Sequence, residues 1–304
     1  MLQTKKIKPR SGLNLLLSLH IAVSALFLLW WASHGDTPQI IVAALLFSII
    51  LQPNYVLLHE GSHDNHHYKP LLNRLMSNVN GLFFPISATF YRLTHGFHHE
   101  NNRSEHECFE YYDPQQTLGD QIFRHLQWVS IVFGTYWLLI LMANLTAAIV
   151  PWLLKLWPFS AMITTRNMFD RFDSQSLRWI SLETAVIILF WLFIWSALEL
   201  QWLPTLVLYA AFAFNWSSRQ YIAHAFSPID KDRGAYNLKL NRFSQLFLLN
   251  SNYHLTHHQY PDIPWHLLPE YARSEPTHNY WQQYRLLWTA PRVFPDSQLI
   301  EQRK

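Results

Sequence analysis

The chain has 304 residues, of which 50% are hydrophobic and 14% are charged, so it is more apolar than a typical soluble domain. Its formal net charge of +3 does not indicate a nucleic-acid partner. Cys108 is the only cysteine, which excludes an intrachain disulfide and an iron–sulfur cluster held by cysteines. The 8 glycines form no G-x-G-x-x-G fingerprint, so electrons for any redox chemistry must come from another protein.

Two apolar segments near the start of the chain predict two membrane spans. A basic stretch at 1–10 precedes the segment 13–32, which shows no evident small-residue cleavage site and is therefore expected to be retained. The second segment, 39–58, runs directly into a cluster of histidines. Because basic flanks face the cytoplasm, the two spans return the chain to the cytoplasmic side.

Three later apolar stretches lie at 128–152, 180–198 and 202–222. Three simple crossings would separate the histidine clusters, which must lie on one side to share a metal centre. The loop after the first stretch is basic and is expected in the cytoplasm, whereas the turn 199–201 has no Lys or Arg. We therefore predict that 128–152 is an interfacial or half-embedded segment that enters and leaves on one side, and that the polar residues 225–304 form a cytoplasmic cap.

The predicted fold is all-α. It is an integral-membrane helical bundle with about four spans and one interfacial segment, and its cytoplasmic helical cap holds a di-metal site. A single domain is expected over 1–304, because the histidine clusters join distant parts of the chain.

Eight of the 17 histidines fall in three clusters with metal-ligand spacing: His59 and His63; His95, His98 and His99; and His254, His257 and His258. Residues four apart on a helix share a face, so the first pair can bind one metal ion. Adjacent histidines diverge by about 100° on a helix, so each His-x2-His-His pattern can address two metal ions. The set therefore suits a dinuclear site, and neutral imidazole favours Zn, Cu, Fe or Ni.

Isolated histidines are usually surface or core residues. At this histidine content, however, chance yields a His-x2-His-His pattern only roughly 0.05 times in a chain of this length, and two are present. His66 and His67 follow the first cluster, and only their spacing supports them as further ligands. His20, His34 and His125 have no partner cluster and are expected at spans or interfaces.

Carboxylates beside the clusters have two open interpretations. They either accept the free ring N–H of a ligand histidine, which fixes its tautomer, or are solvated charges. The candidates are Glu60, Asp64, Glu100 and Asp262.

The order of the three clusters, and their places after the second span and after the last span, resemble the membrane fatty-acid desaturase and hydroxylase superfamily of histidine-box di-iron proteins. The stretch YHLTHHQYPDIPWHLLP, which starts at Tyr253, is similar to members with a P-x-x-P-W-x-x-L-P tail, including relatives that act on carotenoids. The resemblance extends from the first span to Pro269.

The resemblance implies one more ligand between the last span and the third cluster, and His224 stands in that position. It thus nominates nine ligands of two iron ions: His59, His63, His95, His98, His99, His224, His254, His257 and His258. In stearoyl-type desaturases an Asn four residues before the additional histidine contributes through water. Gln220 occupies the matching position here, and this departure leaves the coordination of one iron open.

The resemblance also implies the reaction. Two iron ions, with dioxygen as co-substrate, would abstract hydrogen from a lipid chain; a second abstraction gives a double bond, whereas oxygen transfer gives an alcohol. We predict a membrane-bound acyl-lipid desaturase, with a di-iron hydroxylase or ketolase acting on a lipid, carotenoid or other hydrophobic substrate as the alternative. The expected partner is a separate electron donor, cytochrome b5- or ferredoxin-like. The expected location is the bacterial inner membrane or endoplasmic reticulum, with the histidines facing the cytoplasm.

Two other classes are less well supported. His59–His63 matches the H-E-x-x-H motif of zinc metallopeptidases, with Glu60 as a general base, but this class leaves two clusters unexplained. A metal transporter or haem protein usually places its ligands inside the spans, and only His20 lies well inside one. The aromatic-rich spans can line an apolar substrate tunnel or simply face lipid.

Overall fold

The computed structural model describes residues 7–104, 107–156, 167–272 and 277–295. The fold is mostly helical, with 67% helix, as predicted. The few short strands depart from a purely helical expectation.

A hairpin of two long helices opens the fold. Helix α1 covers Ser11–His34 and α2 covers Thr37–Ser62. Between them, the Asp36 carboxylate accepts the Gln39 amide N–H, and the Gln39 side chain accepts the Asp36 N–H, so the start of α2 is capped reciprocally. Helix α2 extends past the predicted span end at residue 58, which places His59 on its last turn and His63 directly after it.

Two amphipathic helices follow, α3 at Pro70–Phe83 and α4 at Ala88–Asn101. The Ser87 hydroxyl caps α4 by accepting the Phe90 N–H at 3.1 Å. The carboxylate of Glu183 accepts hydrogen bonds from the Ser87 hydroxyl at 2.6 Å and from the Thr89 N–H at 2.9 Å. Glu183 lies in the helix Ser174–Ala197, much later in the chain, so these hydrogen bonds fix the start of α4 against that helix.

The chain bends sharply at Gly134, between α5 at Leu118–Phe133 and α6 at Thr135–Ile149. The two helices meet at 105°. Gly134 has a φ of +89°, and a Cβ there would lie 2.6 Å from the Phe214 backbone nitrogen, so glycine alone fits. The predicted interfacial segment 128–152 contains this bend and ends within a short 3-10 helix at Pro151–Lys155. Its number of membrane crossings stays a prediction.

Two further long helices are α7 at Ser174–Ala197 and α8 at Trp202–Tyr221. Among the described residues, α1, α2 and α7 are long and apolar enough to cross a membrane, and the bent pair would add a fourth span if it crossed. Helix α8 has the predicted bounds but does not join that set. Its last turns carry polar side chains, such as Ser217 and Ser218, which make the helix less apolar and are buried inside the protein. We keep α8 as a predicted span.

The cap after α8 combines short helices with short strands, so it is not helical throughout, and one of its strands pairs with a strand that precedes α5. Strand β1 at Tyr111–Tyr112 pairs with β4 at Arg292–Val293, and β2 at Asn237–Lys239 pairs with β3 at Thr277–Asn279. The helices are α9 at Arg242–Phe247, α10 at His254–Gln259, α11 at Leu268–Tyr271 and α12 at Tyr280–Leu286. Extended connections between such short helices leave backbone groups free to pair.

The main core lies where α1, α2 and α8 pack together. Phe47, Leu51 and Phe212 are fully buried there. Apolar side chains on the outer faces, such as Val23 on α1 and Phe193 on α7, are about two-thirds exposed, at 67% and 68%. Contiguous apolar surface of this kind is unfavourable in water and suits a lipid environment.

Candidate metal centre

The first two histidine clusters lie on the ends of two helices. His59 is on the last turn of α2 and His63 follows that turn, so both lie at the C-terminal end of this helix. Helix α4 carries His95, His98 and His99 on its second half. The capping of α4 therefore also sets the position of this second cluster.

The remaining candidates come from the cap. His224 follows α8, and its Nδ1 atom lies 2.9 Å from the carbonyl oxygen of Gly234. The ring therefore donates from Nδ1, and its Nε2 is free to act as a ligand. The short helix α10 carries the third cluster, His254, His257 and His258.

All nine nominated histidines converge in two groups. One group has five members, His59, His63, His95, His99 and His257, and the other has four, His98, His224, His254 and His258. Within each group the candidate ligand atoms lie within 4.8 Å of one another. Adjacent histidines on α4 and on α10 point into different groups, as the divergence along a helix predicts.

The spacing of the ring nitrogens fits metal coordination. The Nε2 atoms of His63 and His95 are 2.9 Å apart, and those of His224 and His254 are 2.8 Å apart. Two nitrogens bound at about 2.1 Å to one ion and at right angles would be about 3.0 Å apart. In the described chain, the buried Nε2 atoms of His59 and His258 have no hydrogen-bond partner, which leaves them available as ligands.

Burial keeps the rings in the form that binds metal. It lowers the pKa of His95, His224, His257 and His258 well below the usual value, and neighbouring histidines lower each pKa further. Burial likewise lowers the pKa of His254 to about 3. At neutral pH these rings are uncharged, and a neutral imidazole offers a lone pair to a metal ion.

Glu107 is a site residue that the sequence alone did not indicate. Its carboxylate oxygen lies 3.1 Å from the Nδ1 atom of His98. The ring can donate from Nδ1 to this carboxylate, which directs Nε2 into the group of four. Glu107 lies in a loop nine residues after His98, so no helical periodicity connects the two side chains.

The carboxylates expected beside the clusters have different partners. Glu60 accepts the Trp265 N–H at 2.9 Å, and its other oxygen lies 3.9 Å from Nδ1 of His59. Asp64 forms an ion pair with Arg92, and Glu100 forms one with Arg171, each at 2.6 Å. Asp262 is exposed, in keeping with a solvated charge.

The two additional histidines lie outside both groups. Nε2 of His66 accepts from the Asn80 amide at 2.9 Å and lies 3.2 Å from the Ser18 hydroxyl. Nδ1 of His67 accepts the Lys69 N–H at 2.9 Å. These contacts support a structural role for both.

The three isolated histidines also lie outside the two groups. His34 is exposed at the end of α1, 3.8 Å from Glu199, and Nδ1 of His125 donates to the Gln121 carbonyl at 2.8 Å. His20 is exposed on α1.

A cavity of about 70 Å³ adjoins both histidine groups. The exposed surface of its lining is mostly apolar, but several polar and charged side chains, including Gln220, also contribute. The ends of α2 and α8, strand β2 and the segments around α10 form its walls. The lining residues are Tyr55, Val56, His59, Glu60, Arg219, Gln220, Ala223, Leu238, Leu240, Leu248, Leu249, Ser251, Asn252, His254, His257, Trp265, Leu268 and Tyr280. A small hydrophobic group can therefore lie beside both candidate metal sites.

The apolar helices and the paired histidine groups define a helical membrane protein with a candidate dinuclear metal centre. A family model described as Fatty acid desaturase matches residues 36–290, so the chain belongs to the fatty acid desaturase family. This membership agrees with the resemblance found in the histidine clusters and supports an oxidoreductase of the desaturase or hydroxylase type. A comparison with curated proteins finds no match.

Proposed function

We propose that the protein is a membrane-bound, oxygen-dependent di-iron desaturase that introduces a double bond into an acyl-lipid chain. The observation that carries this proposal is the convergence of nine buried or half-buried histidines, in groups of five and four, beside one mostly apolar cavity. Family membership supports the general reaction type.

The proposed metal is iron, held by the nine histidines. Removal of hydrogen from an unactivated carbon requires an oxidant stronger than any side chain, and two bound iron ions would supply it with dioxygen. Gln220 lines the cavity four residues before His224, so we propose that it contributes through a water molecule.

The protein's own residues would orient the substrate and exclude water. Tyr91 stacks on His95 with the rings 5.4 Å apart and nearly parallel, which restrains that ring. The hydroxyl of Tyr91 donates to that of Tyr55, a cavity residue, at 3.1 Å. Apolar walls would hold a lipid chain against the site, and its placement there would select desaturation or hydroxylation.

Electrons would come from a separate donor protein, cytochrome b5- or ferredoxin-like, because the sequence has neither a dinucleotide fingerprint nor a second cysteine. We propose that the donor and the histidines lie on the cytoplasmic side of a bacterial inner membrane or endoplasmic reticulum. The basic residues flanking the proposed cytoplasmic segments support this orientation.

The direct test is lipid and pigment profiling of cells that express the wild type or a His257→Ala, His258→Ala double variant. A new double bond that only the wild type forms is the expected result. His34→Ala is the matched control, since that exposed histidine lies outside both groups and should leave the product unchanged. A new hydroxyl or keto group would favour the hydroxylase or ketolase alternative, and unchanged lipids and pigments would contradict both.

A further inference from the structure

The cavity beside the histidine groups contains a single arginine in a mostly apolar lining. Arg219 lies on the last turn of α8, one residue before Gln220. The same cavity is lined by His59, His254 and His257, so Arg219 shares it with members of both histidine groups.

One edge of the Arg219 guanidinium is fixed by the protein. Its Nε donates to the Gln52 side-chain oxygen at 2.9 Å. Gln52 is only 2% exposed, and its amide nitrogen donates to the Ser48 carbonyl at 2.9 Å, which orients its oxygen toward Arg219. The arginine is therefore held in place by a neutral partner.

The other edge of the guanidinium is unused. Over the ranges that the structure describes, the Nη atoms of Arg219 form neither a hydrogen bond nor an ion pair. Glu60, the other charged residue of the lining, accepts the Trp265 N–H instead. A permanently charged group in an apolar cavity is costly without an anionic partner, and its two Nη groups match a carboxylate.

We infer that Arg219 binds the carboxylate of an acidic lipid substrate in this cavity. This inference rests on the proposed function and narrows its lipid substrate to one with a free carboxylate, such as a fatty acid, rather than an esterified chain. Because Arg219 and three candidate ligands line the same small cavity, the oxidised carbon lies near the carboxyl end of the substrate rather than at its far end. Neutral hydrocarbons, which offer no partner to the guanidinium, bind less well.

Equilibrium binding to the purified, iron-loaded protein in detergent tests the inference. The probes are radiolabelled palmitate and its methyl ester, which have the same chain and differ in charge. We expect the wild type to bind palmitate roughly tenfold more tightly than the ester, because charge-assisted, paired hydrogen bonds form only with the acid. Arg219→Gln should remove this preference by weakening palmitate binding alone.

Two further variants separate binding from folding. Arg219→Lys keeps the charge without the paired geometry and should retain part of the preference. Arg242→Gln removes an exposed arginine on α9 and should keep all of it. Unchanged iron content and thermal unfolding would show that each variant is folded. Equal binding of acid and ester by the wild type, or equal loss of both in Arg219→Gln, would overturn the inference.

The binding assay requires no turnover, so its outcome is separate from that of the proposed reaction. Arg219-dependent binding of palmitate without an oxidised product would support the inference and contradict the proposed function. Desaturation of an esterified acyl chain at equal rates by the wild type and Arg219→Gln would leave the proposed function intact and overturn the inference.

Discussion

The Nε2 atoms of His99 and His257 lie 3.1 Å apart, although 158 residues separate them in the sequence. One is on α4 and the other is on the short helix α10 of the cap. A metal ion at this junction would connect the cap to the membrane helices, so metal binding and the packing of these elements are expected to depend on each other.

The partition of the histidines predicts two separately held metal ions. His99→Ala removes a member of the group of five and His224→Ala a member of the group of four, so each should lower the metal content from about two ions per chain to about one. His67→Ala should keep about two, because that ring lies outside both groups. Elemental analysis of the purified protein measures this. Two iron ions retained in both ligand variants would contradict the partition, and one zinc ion in the wild type would favour the metallopeptidase alternative.

The contact between Glu107 and His98 predicts an effect on one ion alone. Glu107→Ala removes the acceptor for the ring N–H and should weaken binding of the ion in the group of four by about 10- to 100-fold. Competition with a chelator measures the affinity. Glu100→Ala is the control, since its carboxylate pairs with Arg171, and it should leave the affinity unchanged. Equal affinities for the two variants would show that Glu107 does not orient the ring.

Glu183 is expected to be important for stability. Its buried carboxylate accepts hydrogen bonds from Arg74, Ser87 and Thr89 and so joins α7 to α3 and α4. Glu183→Ala leaves Arg74, Ser87 and Thr89 without their common acceptor and should lower the free energy of unfolding by about 1–3 kcal/mol. Denaturation in detergent micelles measures this loss. Glu100→Ala, which breaks an exposed ion pair, should cost less than about 1 kcal/mol, and a similar cost for both would refute the argument.

The buried ring of His66 predicts that acid destabilises the protein. Burial lowers its pKa from 6.5 to about 4, and the Asn80 amide donates to Nε2, a bond that only the neutral ring can accept. Between these pH values the unfolded ring takes up a proton and the folded ring does not, so stability falls as the pH falls. The loss from this residue is about 2 kcal/mol at pH 5. Comparison of wild type and His66→Asn by denaturation at pH 7 and pH 5 should show a smaller loss in the variant; equal losses would contradict this.

In a bacterial inner membrane, the proposed orientation predicts which residues are reachable from outside the cytoplasm. In a Cys108→Ser background, Gln201→Cys lies in the exposed turn before α8 and should react with a membrane-impermeant maleimide in intact cells. Asp262→Cys, exposed in the cap, should react only after the membrane is permeabilised. The reverse pattern would place the histidines on the opposite side.

The sequence by itself identified the features that depend on local spacing. The long apolar runs fall on the helices α1, α2, α7 and α8, because a long apolar helix needs a continuous run that the sequence displays directly. Helix α7 begins six residues before its predicted run, and the number of membrane crossings stays a prediction. The two His-x2-His-His patterns predicted that adjacent rings diverge toward different sites, since this divergence follows from the 100° turn per residue of a helix.

Only the tertiary structure decided how distant residues meet. It sorted the nine histidines into groups of five and four, brought Glu107 to His98, and placed Arg219 in the cavity against Gln52. It also gave His66 a structural place with Ser18 and Asn80, although spacing alone allowed it as a ligand. These contacts join separate helices and loops, and helical or strand periodicity describes only the face that a residue occupies on its own element. Partners across elements are fixed by packing, which the sequence does not display locally.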